Sequence, residues 1–372
     1  MAESMNKHQY ALEPKKFPWL DASRYSFSLG MHTPELTFLS GHTASRYIEE
    51  KNIVSAAGTL EEQLDIVYKK IQSIKEISQS KSILHFIEYI TPKAASEMNV
   101  INQTRKKILQ NEQFTHTQIM SNRLLRKEAL IEIEIIYNNL SDTGELLYIS
   151  KTGNNVGTLA QQTENIYQEA DKSIKQLGLN WGNVVNTTEF IRKDVLHEYK
   201  ETNSVRKKYF SAPYPASTGI IMKKLMQEDQ LIQVHFTLSR ASNEIVNPYE
   251  KWHPALTFSP AIKADNLIFI SGIAAFDYAT GDVLYPGDIE KQTEYIFREI
   301  DKILQACGGS LKNIVRTVDY VVNDGLANYA KTDKIRKKLL SHPFPTSTGI
   351  VCERLIRKGL MVEIETIGLL EE

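Results

Sequence analysis

Apolar positions along the chain switch repeatedly between strand-like runs and helical spacing, most legibly in the C-terminal third. Leu267-Ile268-Phe269-Ile270 is a short apolar run ending at Ser271-Gly272, as a buried strand ends. Tyr278-Ala279-Thr280-Gly281-Asp282 carries turn chemistry before another short segment. From Asp288 to Cys307 the apolar residues Ile289, Ile296, Ile300, Ile303 and Leu304 recur at helical spacing, and the pattern stops at Gly308-Gly309. Ile314 to Val322 predicts a strand. A second helix is expected from about Asn328 to Leu340, ended by His342-Pro343. Thr348 to Leu355 and Leu360 to Leu370 predict two strands joined at Arg357-Lys358-Gly359. The resulting order, β-β-α-β-α-β-β, describes an α/β (α+β) unit.

The same pattern occurs three times. Helix starts recur at Gly58-Thr59-Leu60 before Gln63, Gly157-Thr158-Leu159 before Gln162, and Gly287-Asp288-Ile289 before Gln292. Thr59, Thr158 and Asp288 are good N-caps, and Glu62 completes a capping box with Thr59. Basic stretches recur around Arg105, Arg206 and Arg336, and a third signature at Thr115-His116-Thr117-Gln118-Ile119, Ala216-Ser217-Thr218-Gly219-Ile220 and Thr346-Ser347-Thr348-Gly349-Ile350. The second and third copies lie 130 residues apart at all three signatures, and the first and second 99 to 101 apart. A frame held that constant implies tandem copies. Residues 1–24 are expected to be an N-terminal extension, 25–139 copy one, 140–243 a shortened copy two and 252–372 copy three, with 244–251 as a linker.

Composition adds limits. Lys+Arg 44 against Asp+Glu 45 leaves a net charge of -1, which offers no electrostatic reason for a nucleic-acid or membrane partner. Cys307 and Cys352 are too few for a disulfide framework, and the first residues hold no apolar run for a signal or anchor. A cytoplasmic protein is expected. No Walker loop, dinucleotide fingerprint or His/Cys metal spacing is present, so no cofactor and no metal are implied.

The element order, with Ser-Gly after an early strand and a closing Val-Glu-Ile-Glu strand, resembles the Rid (YjgF-like, reactive intermediate deaminase) family. ISGIAAFDYATGDVLYPG, IVRTVDYVV, PFPTSTGI and LMVEIETIG of copy three carry the likeness best. The resemblance implies three Rid-like (chorismate-mutase-like) units forming a single-chain pseudo-trimer with a central barrel-like core. Such a chain would be a monomeric pseudo-trimer or an oligomer of pseudo-trimers, with small-molecule sites in the clefts between copies.

The resemblance also implies site residues. The family's substrate-holding arginine falls on His116, Ser217 and Ser347, none of them arginine. Its water-positioning glutamate falls on Glu132, Gln233 and Glu363, its aromatic on Phe27 and Phe258, and a helix asparagine on Asn102, Asn203 and Asp333. Glu363 and Glu132 are therefore the candidate catalytic residues. Ser347, Thr348, Gly349, Ser217, Thr218, Ser271, Gly272, Phe258, Phe27, Asp333 and His116 are the candidate substrate contacts. An absent guanidinium removes two charge-assisted bonds, worth at least ~10-fold in affinity. Either the substrate lacks that carboxylate or another cation serves it, Arg105, Arg206 and Arg336 being nearest in sequence.

Several of these residues have a second reading. Glu363 and Glu365 share one face of an alternating strand, which is either a solvent face or the wall of a cleft that would raise a carboxyl pKa. His116 is a general base, a ligand or a structural histidine. His235 stands where the other copies have Glu134 and Glu365, and Gln233 lacks acid–base chemistry, so copy two has the look of a copy without catalysis. The Ser-Thr-Gly-Ile segments either line a pocket or begin a strand, the Arg-Lys-Lys runs are expected to be solvated helix faces, and Cys352 core.

The leading functional expectation is a cofactor-independent enzyme acting on a small reactive metabolite, by imine or enamine hydrolysis or a related hydrolase or lyase step. One alternative is a chorismatase-like biosynthetic enzyme, since chorismatases resemble Rid units within a longer chain. Another is a pseudo-trimer that binds a metabolite without chemistry. A ribonuclease reading finds no basic stripe interleaved with aromatics.

Overall fold

A computed structural model describes residues 9–14, 25–110, 112–141, 144–250, 252, 256–277 and 280–370. Most of the expected N-terminal extension, and Tyr278 and Ala279 of the expected turn, lie outside these residues.

Three large sheets share one strand plan, and a two-stranded ribbon, Arg46–Ile48 with Ile53–Ser55, stands apart from them. The first orders its strands Tyr10–Leu12, Gly30–His32, Leu36–Leu39, Ile131–Asn138, Ser82–Ile90, Thr115–Met120. The third repeats that order with Asn243–Val246, Ala261–Ala264, Leu267–Ala274, Val362–Leu369, Ile314–Val322, Thr346–Cys352. The second keeps four strands, Ala216–Met222, Val184–Arg192, Ile232–Ser239 and Leu146–Lys151. In each unit one edge pair of the sheet is parallel, because a helix returns the chain to the same end, and the other pairings are antiparallel.

Each sheet carries one long helix: Leu60–Ser78, Leu159–Gln176 and Ile289–Gln305. The expected capping box is formed, Thr59 accepting from Glu62 N and Glu62 from Thr59 N. Asp288 caps the third helix from Lys291 N at 3.0 Å. Leu60, Leu64, Val67, Ile71 and Ile74 form one buried stripe, each worth ~1.5–3 kcal/mol relative to exposure.

Four local expectations need correction. The segment taken as a linker begins with the strand Asn243–Val246, which pairs with Ala261–Ala264 and belongs to the third sheet. Tyr10–Leu12 likewise pairs with Gly30–His32, so the N-terminal extension contributes to the first sheet. The second helix of unit three is broken into Leu326–Tyr329 and Thr332–Leu339. The Arg-Lys-Lys runs are not uniformly solvated. Their lysines are exposed, but Arg206 and Arg336 are buried and Arg105 half-buried. Each arginine meets a carboxylate beneath it, in the pairs Arg105–Glu88, Arg206–Glu189 and Arg336–Asp319.

The units contact one another in a ring. Unit three meets unit one through Ser28 N to Pro345 O at 3.0 Å and Ser347 N to Ser40 Oγ at 2.9 Å. Unit two meets unit three through Ser259 N to Pro215 O at 2.9 Å and Ser217 N to Ser271 Oγ at 2.8 Å. Unit one meets unit two differently, through Thr115 Oγ1 to Tyr148 O at 2.7 Å and Gln233 Nε2 to Gln118 O at 3.2 Å. Unit two lacks the front strands that present Ser-Gly in its neighbours. Where the three sheets meet, Arg316 donates to Glu134 at 2.6 Å and Glu365 at 3.3 Å, and Thr188 of unit two donates to Glu365 at 2.9 Å.

Candidate functional site

Glu132 sits on the strand Ile131–Asn138 opposite Tyr89, and Glu363 on Val362–Leu369 opposite Tyr320. Both strands are buried, so the solvent-face reading of Glu363 and Glu365 does not hold: these side chains are 6% and 5% exposed. Residues two apart on a strand share a face, so the two acids of each strand differ by their place along it. Glu134 and Glu365 point to Arg316, whereas Glu132 and Glu363 point into the interfaces and have no hydrogen-bond partner among the described residues. Burial, and then the neighbouring Glu134, push the Glu132 carboxyl up to about 8. Burial and Glu365 push Glu363 up to about 8 as well. Both acids thus hold their protons at neutral pH.

Two glycines make room for these carboxyls. A methyl group on Gly41 would sit 2.1 Å from Glu132 Oε1, and one on Gly272 2.1 Å from Glu363 Oε1. Gly41 N donates to Thr348 Oγ1 at 2.9 Å, and Gly272 N to Thr218 Oγ1 at 3.0 Å. Each site is therefore assembled from a glutamate and Ser-Gly of one unit and the Ser-Thr-Gly strand of the next.

Between units one and three this arrangement opens into a cavity of about 530 Å³. Glu132, Gly41, His42 and Phe27 of unit one face Ser347, Gly349 and Asp333 of unit three across it. Burial drives His42 down to about 3, with Lys70 as the second cause, so its imidazole is neutral, and its Nε2 lies 3.2 Å from Leu29 O. Lys70, Arg123 and Arg126 also line the space. Lys70 Nζ donates to Thr43 O and Ser45 O. Its pKa falls to about 7, through burial first and Arg126 second.

The remaining expected contacts divide. Ser271 is spent on structure, accepting from Ser217 N and donating to Ser259 O at 2.6 Å. Thr348 and Thr218 are buried latches on the glycine amides. Ser217 Oγ lies 3.0 Å from Thr187 Oγ1. Asp333 accepts from Ser26 N at 3.1 Å and pairs with Lys337 at 2.8 Å, so it fastens the entry segment of unit one. Phe258 packs edge-on against Trp252, ring centroids 5.4 Å apart.

His116 is away from this cavity: its Nε2 lies 2.9 Å from Glu88 Oε2, with Gln118 and Arg105 on the same oxygen at 2.8 and 2.6 Å. Burial opposes the charge on Glu88, but the bonds from His116 and the Arg105 charge hold it below the usual carboxylate range. None of the three arginines suggested as substitutes is free. Arg336 reaches the cavity wall, but Asp319 takes it, and Tyr329 donates to the same Asp319 oxygen at 2.5 Å. In unit two, Gln233 donates to Gln118 and lies 3.0 Å from His235 Nε2. The sequence reading missed Gly41, His42, Lys70, Arg123 and Arg126. Ser40-Gly41 after the apolar run Leu36–Leu39 repeats Ser271-Gly272 after Leu267-Ile268-Phe269-Ile270, and that likeness was the available signal.

The Endoribonuclease L-PSP family (Ribonuc_L-PSP) matches residues 136–237 and 250–370, more than half of the chain. The chain belongs to this family. The two matched stretches cover units two and three, and unit one, outside them except at its last residues, shares the L-PSP strand order. A RutC family protein of Pyrococcus horikoshii is 31% identical over 118 residues, 32% of this chain and 90% of that protein. The 3-aminoacrylate deaminase RutC of Acinetobacter baylyi is 29% identical over 125 residues, 34% of this chain and 96% of that protein. Relatives of one-unit length thus match a third of this L-PSP chain. A crystal structure of a chorismatase superposes with a TM-score of 0.57 at 17% identity, over 79% of this chain and 95% of that one. At that identity the likeness is one of fold, and it extends beyond a single L-PSP unit to the tandem arrangement. Among the described residues no helix is long and apolar enough to cross a membrane.

Proposed function

We propose that this chain is a cofactor-independent Rid-like enzyme that hydrolyses a small imine or enamine in the cavity between units one and three, with Glu132 as proton donor and acceptor. The observation that carries the reading is a buried carboxyl, without a hydrogen-bond partner among the described residues, that keeps its proton at neutral pH and lines a ligand-sized cavity. The RutC relative, a 3-aminoacrylate deaminase by name, supports the reaction class.

In this mechanism protonated Glu132 gives its proton to the imine nitrogen, which makes the adjacent carbon electrophilic. Water adds to that carbon, and the carboxylate left behind takes a proton from it. Collapse of the resulting carbinolamine expels ammonia and leaves the carbonyl product. Ser347 donates to the substrate, and Phe27 covers it. Glu363 repeats the arrangement between units three and two and is a second candidate centre. Gln233 holds no exchangeable acid proton, so the interface of units one and two is assigned a structural role.

The test is ammonia release from imines generated in situ by an amino-acid oxidase, comparing wild type with Glu132→Gln and Glu363→Gln. Loss of acceleration in Glu132→Gln alone places turnover between units one and three. Acceleration that survives both substitutions rejects the mechanism. Saturable binding with no turnover would instead identify a metabolite-binding protein. A chorismatase-like step would appear as turnover of a cyclic enol ether with no ammonia released. A nuclease role has less support, since a net charge of -1 supplies no phosphate-tracking surface.

A further inference from the structure

The cavity between units one and three carries positive charge that the proposed proton transfer does not use. Arg126 lines it half-buried, and its guanidinium has no hydrogen bond, ion pair or ring contact among the described residues. Arg123 lines the same space, and among the described residues its guanidinium is held only by a long 3.4 Å bond from its Nε to Leu124 O. Lys70 stands behind them, donating to two backbone carbonyls. The acids on the cavity wall do not neutralise this group. Glu132 keeps its proton at neutral pH, and Asp333 is taken by Ser26 N and Lys337.

The charge is particular to this interface. The helix register set by Gln63, Gln162 and Gln292 places Glu169 and Glu299 where unit one has Lys70. Leu125 approaches Gly349 as Ile356 approaches Gly219, so Arg357 is the unit-three counterpart of Arg126. Arg357 is occupied: its guanidinium lies 5.3 Å from the Phe276 ring centroid. In unit two the same register places Gln227.

We infer that this cavity takes a carboxylic acid with a ring-sized apolar body, its carboxylate held by Arg126 and Arg123 of unit one. A planar guanidinium fork with open donors is the group that best matches a carboxylate. The charge missing at Ser347 is thereby supplied from the neighbouring unit's wall. The size argument is independent. About 530 Å³ lies within the range that encloses whole drug-sized ligands, far more than a three-carbon acid fills. The Tyr25 and Phe27 rings, 5.1 Å apart, and Leu29 and Leu326 provide an apolar wall for a ring.

The inference rests on the cavity being the working site, but its test reads binding and not turnover. Benzoate and its neutral isostere benzamide are titrated calorimetrically into the full chain. Wild type is expected to bind benzoate about 10-fold or more tightly than benzamide, the worth of a charge-assisted fork. Arg126→Gln should remove that preference with the circular dichroism spectrum unchanged, and Arg123→Gln should reduce it. Arg357→Gln, in the other interface, should leave it intact. Equal binding of the two probes by wild type, or an unchanged preference in Arg126→Gln, overturns the inference. So does loss of the preference in Arg357→Gln. If benzoate binds as expected and no imine is hydrolysed, the carboxylate site stands and the reaction proposed above fails alone.

Discussion

Replacing Glu132 by glutamine should stabilise the protein, by an amount that depends on pH in a way fixed by where the carboxyl sits. Unfolded, the carboxyl titrates near its ordinary 4.5; folded, burial and Glu134 hold it near 8. An acid whose folded pKa is raised contributes fully below the unfolded value, and that contribution is lost as pH climbs toward the folded value. Each pH unit in between costs about 1.36 kcal/mol. Between 4.5 and 7 this amounts to roughly 3 kcal/mol, reaching about 5 kcal/mol at pH 8 and then levelling off. Glutamine keeps the shape and removes the titration. Glu132→Gln should therefore match wild type near pH 4.5 and exceed it progressively up to pH 8. Thermal unfolding followed by circular dichroism at several pH values is the assay. At the low end of 2–4 °C per kcal/mol, the gain at pH 7 is roughly 6 °C in Tm. A gain that does not change with pH, or a variant less stable than wild type at pH 8, would show that the carboxyl is not held protonated and would remove the basis for Glu132 as a proton donor.

Other substitutions test the geometry around the site. Gly272→Ala should cost about 1–3 kcal/mol in a urea melt, because its methyl group would sit 2.1 Å from Glu363 Oε1 and 2.9 Å from Thr218 Cγ2; a neutral outcome would mean the interface is looser than described. Arg316→Met leaves Glu134 and Glu365 buried without their cation and should cost about 3–5 kcal/mol. Adding Glu134→Gln and Glu365→Gln to that variant should recover most of the loss, and no recovery would refute the charge argument. Thr59→Ala removes the capping-box acceptor and should cost about 1 kcal/mol, read as a shift in the urea midpoint.

The sequence by itself determined the repeat and the elements of each unit, because these depend on short-range chemistry. Caps at Thr59 and Asp288, helical stripes and alternating strands are written within a few residues of one another, and the constant spacing of the Gln and Arg signatures declared three copies. The residues of the candidate glutamate site could be named from the sequence too, since Glu132, Glu363 and the Ser-Thr-Gly strands stand at the positions the family resemblance points to. Their environment was not. Alternation says that Glu363 and Glu365 share a face, but only the meeting of units decides whether that face sees water, Arg316 or a cavity. The same limit explains His116 and the basic runs. Their partners Glu88, Glu189 and Asp319 lie on a strand that precedes them, and only the parallel crossover brings the two together. Arg126 and Lys70 resemble any surface cation in sequence. Packing of unit three against unit one turns them into one wall of a cavity, because neither unit alone encloses that space.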